Sequence, residues 1–196
     1  MSLPLLHSFA GYSIYRLSKQ DDESNWKLAL SCIVLANAAD LDFVPGILIG
    51  RANQFHHCAA HSLGAAVICG LLVSFAEKVW KKRATLKTFL VVTAAYASHV
   101  ILDYFNDLHE GIPVFWPLTN ARFPVTLTIL APKTWDPMTN GGITSFVHYV
   151  ASVNSLKRLV SEIIIISVTL LLFALYGELK KRLRIHKAPA FALKEE

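Results

Sequence analysis

The sequence predicts an all-α fold, a membrane-embedded helical bundle of about five helical segments with a long irregular loop insertion. Two observations carry this prediction. The chain of 196 residues is 54% hydrophobic and 17% charged, with a mean hydropathy of +0.43, which is too apolar for an ordinary soluble domain. Its apolar residues also form segments bounded by polar or basic clusters, as membrane helices do.

Two short segments, residues 3–17 and 26–39, come first. Each is shorter than the ~17–25 residues of a normal spanning helix, so we predict buried or re-entrant helices. A loop with Pro45, Gly46 and Gly50 follows. The third segment, residues 60–79, is long enough to span, and the Ser62 hydroxyl is predicted to help cap it.

The fourth segment covers residues 86–105, and the fifth, residues 159–179, is the clearest spanning segment. A compact peripheral domain anchored by the fifth segment alone is the alternative. We predict one domain, residues 1–184, followed by a flexible tail, residues 185–196. The insertion between the last two segments is rich in aromatic residues and proline, which favours an interfacial aromatic belt over a lid.

The basic residues predict the orientation in the membrane. Three, five and six of the 19 Lys and Arg residues lie in the ranges 16–27, 78–87 and 180–194, which are segment ends on one side of the bundle. Cytoplasmic loops carry an excess of such residues. We therefore predict a multi-pass inner membrane protein with these ends and the C-terminus in the cytoplasm. We attribute the net charge of +5 to the basic residues that set this orientation, so no nucleic-acid partner is expected.

Histidine and aspartate are concentrated in four stretches at the ends of apolar segments: 5–8, 39–42, 56–61 and 99–103. Imidazole and carboxylate are the usual ligands of zinc and similar divalent metals, and burying them without a partner is costly. The predicted orientation places all four stretches on the extracytoplasmic side. We therefore predict one shared site, made of His7, Asp40, Asp42, His56, His61, His99 and Asp103.

The spacing indicates how these residues act. His99 and Asp103 are four residues apart, so they share one helix face and can hold one metal, or the carboxylate can bridge two. Asp40 and Asp42 lie in a predicted turn, where both can bind metal or one can orient a histidine. Arg122 is a candidate for binding a phosphate or carboxylate of the substrate, with a salt bridge or a lipid headgroup contact as the alternative.

The motifs LPLLHSFAG (3–11), ADLD (39–42), HHCAAHSL (56–63), HVILD (99–103) and VFWPL (114–118) occur in this order. Together they resemble the YdjM-like family, described as LexA-regulated, membrane-bound, metal-dependent hydrolases. The resemblance covers roughly residues 3–124. The chain departs from it at His57, where the family often has Arg, and at Ala60, where Thr is frequent. The resemblance implies a hydrolase more firmly than any substrate.

A more distant resemblance is to the zinc-dependent phospholipase C and single-strand nuclease superfamily. The residues in similar order and spacing are His7, Asp42, His56, His99, Asp103 and His109. That superfamily closes its metal cluster with a later His-x-x-x-Glu or His-x-x-x-Asp pair. This chain departs from that pattern, because it has His148 and Ser152 at that step, with serine in place of the acidic residue.

We therefore expect a membrane-bound metal-dependent hydrolase that uses one to three divalent ions, with zinc favoured, on an ester or phosphoester. The substrate would be a lipid or another small molecule. The expected direct ligands are His7, Asp42, His56, His99 and Asp103. Asp40 and His61 are ligands or orient them, and Asp40, Asp42 and His61 are the catalytic candidates. A transporter or metal-handling protein, and a structural protein with a metal-stabilised bundle, are the alternatives.

Overall fold

The computed structural model describes residues 4–18, 26–51, 54–81, 86–105, 111–124 and 143–187. Within these ranges all regular secondary structure is helical, and the chain contains no strand, only one isolated bridge between Ile112 and Phe123. The predicted all-α class is confirmed. The helices are α1 (Pro4–Ser18), α2 (Trp26–Ala36), a 3-10 helix (Ala38–Asp42), α3 (Phe43–Leu48), α4 (Leu63–Lys81), α5 (Leu86–Tyr104), α6 (Ile143–Val150) and α7 (Val153–Lys187).

The second helix is shorter than predicted because Asn37 ends it. The Asn37 side chain donates hydrogen bonds to the Ile33 carbonyl and to the Ser8 hydroxyl, and the chain then tightens into the 3-10 helix. The predicted loop around Pro45 instead contains α3. Pro45 is tolerated there because it lies in the first turn of α3, where its missing N–H has no helical partner to lose.

Serine caps set the starts of two longer helices. The Ser62 hydroxyl accepts a hydrogen bond from the Ala65 N–H at 3.0 Å, as predicted, and α4 begins at Leu63 instead of residue 60. The Ser152 hydroxyl accepts one from the Ser155 N–H at 3.2 Å, so α7 begins six residues before the predicted start. The predicted insertion contains α6, and its residues 125–142 lie outside the described ranges.

Helix α5 is central, because α1, α2 and α4 all pack against it. Its buried face is a stripe of residues spaced three or four apart, the spacing expected for one helix face: Val91, Val92, Ala95, Tyr96, His99, Val100 and Asp103. Helix α1 approaches α2 closely at Gly11, where any side chain would collide with the Cys32 carbonyl. The buried stripe on α5 ends, on the same helix face, in His99 and Asp103.

Among the described residues, three helices are long and apolar enough to cross a membrane: Leu63–Trp80, Leu86–Tyr104 and Val153–Lys180. Helix α2 and the segment Ala38–Leu48 would make a fourth span if taken together, bent by 51° at the break. Broken helices at membrane depth occur where the freed backbone groups line a site or a cavity. The break in this chain lies next to Asp40 and Asp42.

Two compact units divide the chain, residues 1–162 and residues 163–196. The first contains α1 to α6, the first turns of α7 and every residue predicted to form the site. The second contains the long apolar part of α7, which remains helical to Lys187. The predicted tail begins at residue 185, so its first three residues are helical, and residues 188–196 lie outside the described ranges.

Candidate metal centre

His99 and Asp103 form the buried base of the centre on α5, and both are fully buried. The Nδ1 atom of His99 lies 2.8 Å from the carbonyl oxygen of Ala36. That oxygen is in the last turn of α2, where carbonyls lack a helical partner. A carbonyl only accepts hydrogen bonds, so Nδ1 donates and Nε2 carries a lone pair. This Nε2 lies 3.3 Å from Asp103 Oδ2.

The 3-10 helix after the break supplies two carboxylates with different surroundings. Asp40 Oδ1 lies 3.5 Å from His99 Nε2 and 3.6 Å from His61 Nε2. Asp42 instead faces the Nδ1 atoms of two histidines. It accepts a hydrogen bond from His56 Nδ1 at 3.0 Å, and its other oxygen lies 3.0 Å from His61 Nδ1, at an angle that falls short of a hydrogen bond.

The segment before α4 supplies His56, His57 and His61, all buried. The contact of Asp42 with each Nδ1 favours the proton there and leaves the Nε2 lone pair available, as in carboxylate–histidine–metal arrangements. His56 Nε2 is buried and has no hydrogen-bond partner among the described residues. His57 has a φ of 58°, a left-handed conformation in which histidine is enriched over most residues, and its Nε2 lies 3.6 Å from Asp103 Oδ2.

Helix α1 adds His7 from a third direction. Its ring stacks on His99 with centroids 3.8 Å apart, and its Nε2 lies 3.5 Å from Asp103 Oδ1. The preceding residue, Leu6, donates its backbone N–H to the carboxylate of Glu162 at 3.0 Å. Glu162 is fully buried on α7, so a second carboxylate fixes the end of α1 that carries His7.

Four ligand atoms fit the geometry of a single tetrahedral ion. Zinc bound at ~2.0–2.2 Å to imidazole nitrogen and carboxylate oxygen has neighbouring ligand atoms about 3.3–3.6 Å apart. The Nε2 atoms of His61 and His99 are 3.1 Å apart, and each lies 3.3–3.6 Å from the nearer oxygens of the carboxylates. The residues that can hold an ion this way are Asp40, His61, His99 and Asp103.

The charges favour a cation at this position. The Nε2 atoms of His61 and His99 are 3.1 Å apart. Their lone pairs repel each other unless a proton or a metal lies between them. Burial by itself would lower the pKa of His61, but the carboxylates of Asp103, Asp40 and Asp42 raise that pKa well above its usual value. Burial, followed by the proximity of His57, holds the pKa of His56 well below its usual value. The centre therefore attracts positive charge to the His61 position.

A second group of possible ligands adjoins the first. His56, His57 and His61 each offer one nitrogen, and these nitrogens lie within 4.8 Å of one another. The cluster thus contains more donors than one tetrahedral ion accepts. All seven predicted site residues belong to this connected cluster of contacts, and an eighth residue, His57, joins them.

Other sequence candidates lie elsewhere. Arg122 donates a hydrogen bond to the Gly111 carbonyl at 3.2 Å, and within the described ranges no contact joins it to the cluster. His148 is exposed on α6, and His109 lies outside the described residues. Two residues were missed. The sequence distinguishes His57 only as a departure from a family pattern. Glu162 is the only acidic residue between 159 and 177. Because carboxylates are rare inside apolar helices, its presence there is a sequence signal of a functional or structural role.

The comparisons with known proteins agree with the membrane assignment. The model of a family described as YdjM inner membrane protein matches residues 2–180. A curated relative from Escherichia coli (strain K12), "Inner membrane protein YbcI", is 31% identical over 101 residues, which cover 50% of this chain. The match spans 57% of that relative's length. No solved structure matches the chain.

Proposed function

The chain belongs to the YdjM inner membrane protein family, and we propose that it is a membrane-bound metal-dependent hydrolase of esters or phosphoesters. The observation that carries the proposal is the set of near-tetrahedral separations among Asp40, His61, His99 and Asp103, 3.1–3.6 Å. Imidazole and carboxylate are the donor types of hydrolytic zinc centres, so zinc is the favoured metal.

The residues fit a divalent ion in charge as well as in geometry. Once an ion displaces the proton of His61, Asp40 and Asp103 would leave two negative charges next to two neutral imidazoles, and a divalent ion would neutralise the buried group. The donors left over are His7, His56 and His57, which together with Asp103 could hold a further ion. When bound, a divalent ion at such a centre acidifies a coordinated water to a pKa near 7 and polarises a carbonyl or phosphoryl oxygen.

The chain's own residues would orient this chemistry and handle protons. Ala36 fixes the tautomer of His99 through its carbonyl, and Asp42 does the same for His56 and favours the same tautomer in His61. Asp40 is the most exposed of the four tetrahedral residues, at 17% of its side chain, whereas the other three are fully buried. Its second oxygen is therefore the best placed to exchange a proton with substrate or solvent as general base.

Substrate and orientation are proposed from the sequence and the membrane setting. The basic residues at alternate segment ends support a cytoplasmic C-terminus and an extracytoplasmic centre. A centre at the end of spanning helices is at headgroup depth, which favours a lipid ester or phosphoester over a fully soluble substrate. Arg122 is proposed to bind the anionic group of the substrate, because its guanidinium has donors beyond the one that Gly111 accepts.

Metal content and hydrolysis, measured together, test the proposal. The protein purified in detergent without chelator should contain zinc by inductively coupled plasma mass spectrometry and cleave a model phosphodiester or ester. Asp103→Asn should abolish both, whereas Glu77→Gln, which neutralises a carboxylate that accepts a hydrogen bond from Thr88, should change neither. A protein that binds no metal after zinc loading would overturn the proposal. Metal binding with no cleavage of any substrate would favour a metal-handling role.

A further inference from the structure

An apolar groove of about 340 Å³ runs beside the metal centre. Its wall on α4 is made by residues spaced three and four apart, Ala65, Ile68, Cys69 and Leu72. At ~1.5 Å per residue, the helix descends about 14 Å from its start at Leu63 to Leu72. Because α4 is one of the candidate spans, the groove extends from the end of a spanning helix towards the bilayer interior.

The upper end of the groove is the backbone of the segment that carries the ligands. Ala59 and Ala60, which line the groove, lie between His57 and His61. Tyr96 lines it from α5, one turn before His99. The segment 57–61 therefore faces the groove through Ala59 and Ala60 and the metal centre through His57 and His61.

We propose that this groove binds one acyl chain of a membrane lipid whose headgroup ester or phosphoester is the substrate of the metal centre. The inference rests on the proposed function and names its substrate class. It assigns the groove a role in substrate binding, with the scissile group held at the upper end beside the segment 56–61.

The lining chemistry selects an apolar occupant. Among the described residues that line the groove, Tyr96 carries the only hydroxyl, and this hydroxyl already donates to the Ala60 carbonyl at 3.0 Å. The other lining side chains in this part of the chain are Ala, Ile, Leu, Cys and Trp. A polar substrate group would lose its hydration there without a replacement partner, which is unfavourable. The groove is also continuous with the exposed side chains of Ile68 and Leu72, the surface that a membrane protein presents to lipid.

Backbone contacts fix the position of one wall of the groove. The segment 111–124 supplies Trp116 as its remaining wall. The Leu63 N–H donates to the Val114 carbonyl at 2.9 Å, and at Gly64 any side chain would collide with the Trp116 carbonyl. Pre-formed pockets bind with a smaller cost of ordering, which suits a ligand that diffuses within the bilayer.

Photo-crosslinking tests occupancy without requiring turnover. The full chain in phospholipid nanodiscs would be irradiated with a phosphatidylcholine that carries a diazirine in one acyl chain, and the adducts mapped by mass spectrometry. Adducts on residues 59–72 that fall at least severalfold in Ala65→Trp, and not in Val67→Trp, are expected. Val67 is the matched control because it is exposed on the same helix but does not line the groove. Labelling indifferent to Ala65→Trp would overturn the inference.

Turnover separates this inference from the proposed function. Butyl and dodecyl p-nitrophenyl phosphodiesters would be compared, and filling the groove in Ala65→Trp should lower the ratio of kcat/KM for the dodecyl substrate to that for the butyl substrate about tenfold or more. Val67→Trp, outside the groove, should leave this ratio unchanged. Ile68→Ala, which widens the groove without filling it, guards against a folding defect and should keep the preference. Hydrolysis with no chain-length preference would reject the groove and leave the hydrolase intact. Crosslinking that follows the groove without any hydrolysis would reject the hydrolase.

Discussion

Replacing Asp42 with asparagine tests the proposal that Asp42 orients the ligands and that other residues hold the ion. Asp42 accepts a hydrogen bond from His56 Nδ1 at 3.0 Å and lies 3.0 Å from His61 Nδ1. Asparagine keeps one carbonyl oxygen but places an NH₂ group where the second carboxylate oxygen was. In Asp42→Asn, one of the two imidazoles therefore loses its acceptor and the tautomer that directs Nε2 towards the centre is no longer favoured.

The expected loss follows from the number of contacts that change. Removing a partner that orients a ligand typically costs about 10–100-fold in metal affinity, which is about 1.4–2.7 kcal/mol. We expect Asp42→Asn to fall in this range while it still binds the ion at saturation. Asp42→Ala removes the hydrogen-bond acceptor of His56 Nδ1 as well as the carboxylate beside His61 Nδ1, so it should also lower the free energy of unfolding by about 1–3 kcal/mol for the His56 donor left unsatisfied.

Competition with a chelator of known zinc affinity measures the first effect, and thermal unfolding of the metal-free protein measures the second. Glu77→Gln serves as the control, since it removes a carboxylate that contacts Thr88 on α5. The reasoning is refuted if Asp42→Asn binds zinc as tightly as the unaltered protein. It is also refuted if Asp42→Asn loses the ion altogether, because Asp42 would then be a direct ligand.

Four further predictions concern pH, packing and capping. Because nearby carboxylates raise the pKa of His61, zinc must displace the proton of His61 when it binds. The apparent zinc affinity should therefore fall about tenfold per pH unit as the pH is lowered. An affinity independent of pH between 6 and 8 would contradict this. The same raised pKa stabilises the metal-free fold at low pH, and that stabilisation should disappear as the pH rises through the pKa of folded His61, seen as a falling melting temperature. Gly64→Val should destabilise the fold by about 1–3 kcal/mol in thermal unfolding because its side chain would meet the Trp116 carbonyl, and a wild-type melting temperature would show that this segment is free to move away. Ser62→Ala should cost about 1 kcal/mol, since the Ala65 N–H loses its cap, and Ser74→Ala, within the same helix, is the comparison that should cost less.

The sequence predicts the helices well where hydrophobic runs are long and poorly where polar side chains decide their ends. The apolar runs of α4 and α5 locate both helices within a few residues. Because the hydroxyls of Ser62 and Ser152 cap α4 and α7, these helices begin at Leu63 and Val153 instead of at the predicted residues 60 and 159. The end of α2 depends on the Asn37 side chain bonding back to Ile33. Such local competition between side chain and backbone leaves little trace in hydrophobic periodicity.

The grouping of histidines and aspartates in the candidate site was largely predictable from the sequence, but their individual contacts were not. Imidazoles and carboxylates at the ends of four apolar segments predict a shared cluster from the sequence alone. The distinction between Asp40, which faces two Nε2 atoms, and Asp42, which faces two Nδ1 atoms, depends on the turn of the 3-10 helix. Periodicity does not predict this turn. His57 joins the cluster through a left-handed backbone conformation, which sequence alone does not reveal.

The coordination of the first zinc ion tests the central claim most directly. X-ray absorption spectroscopy on protein loaded with one equivalent of zinc should show four nitrogen and oxygen neighbours at ~2.0–2.2 Å, with the outer-shell scattering of two imidazoles and no sulfur neighbour. That spectrum corresponds to an ion held by Asp40, His61, His99 and Asp103. A sulfur neighbour at ~2.3 Å, or coordination by oxygen alone, would contradict it.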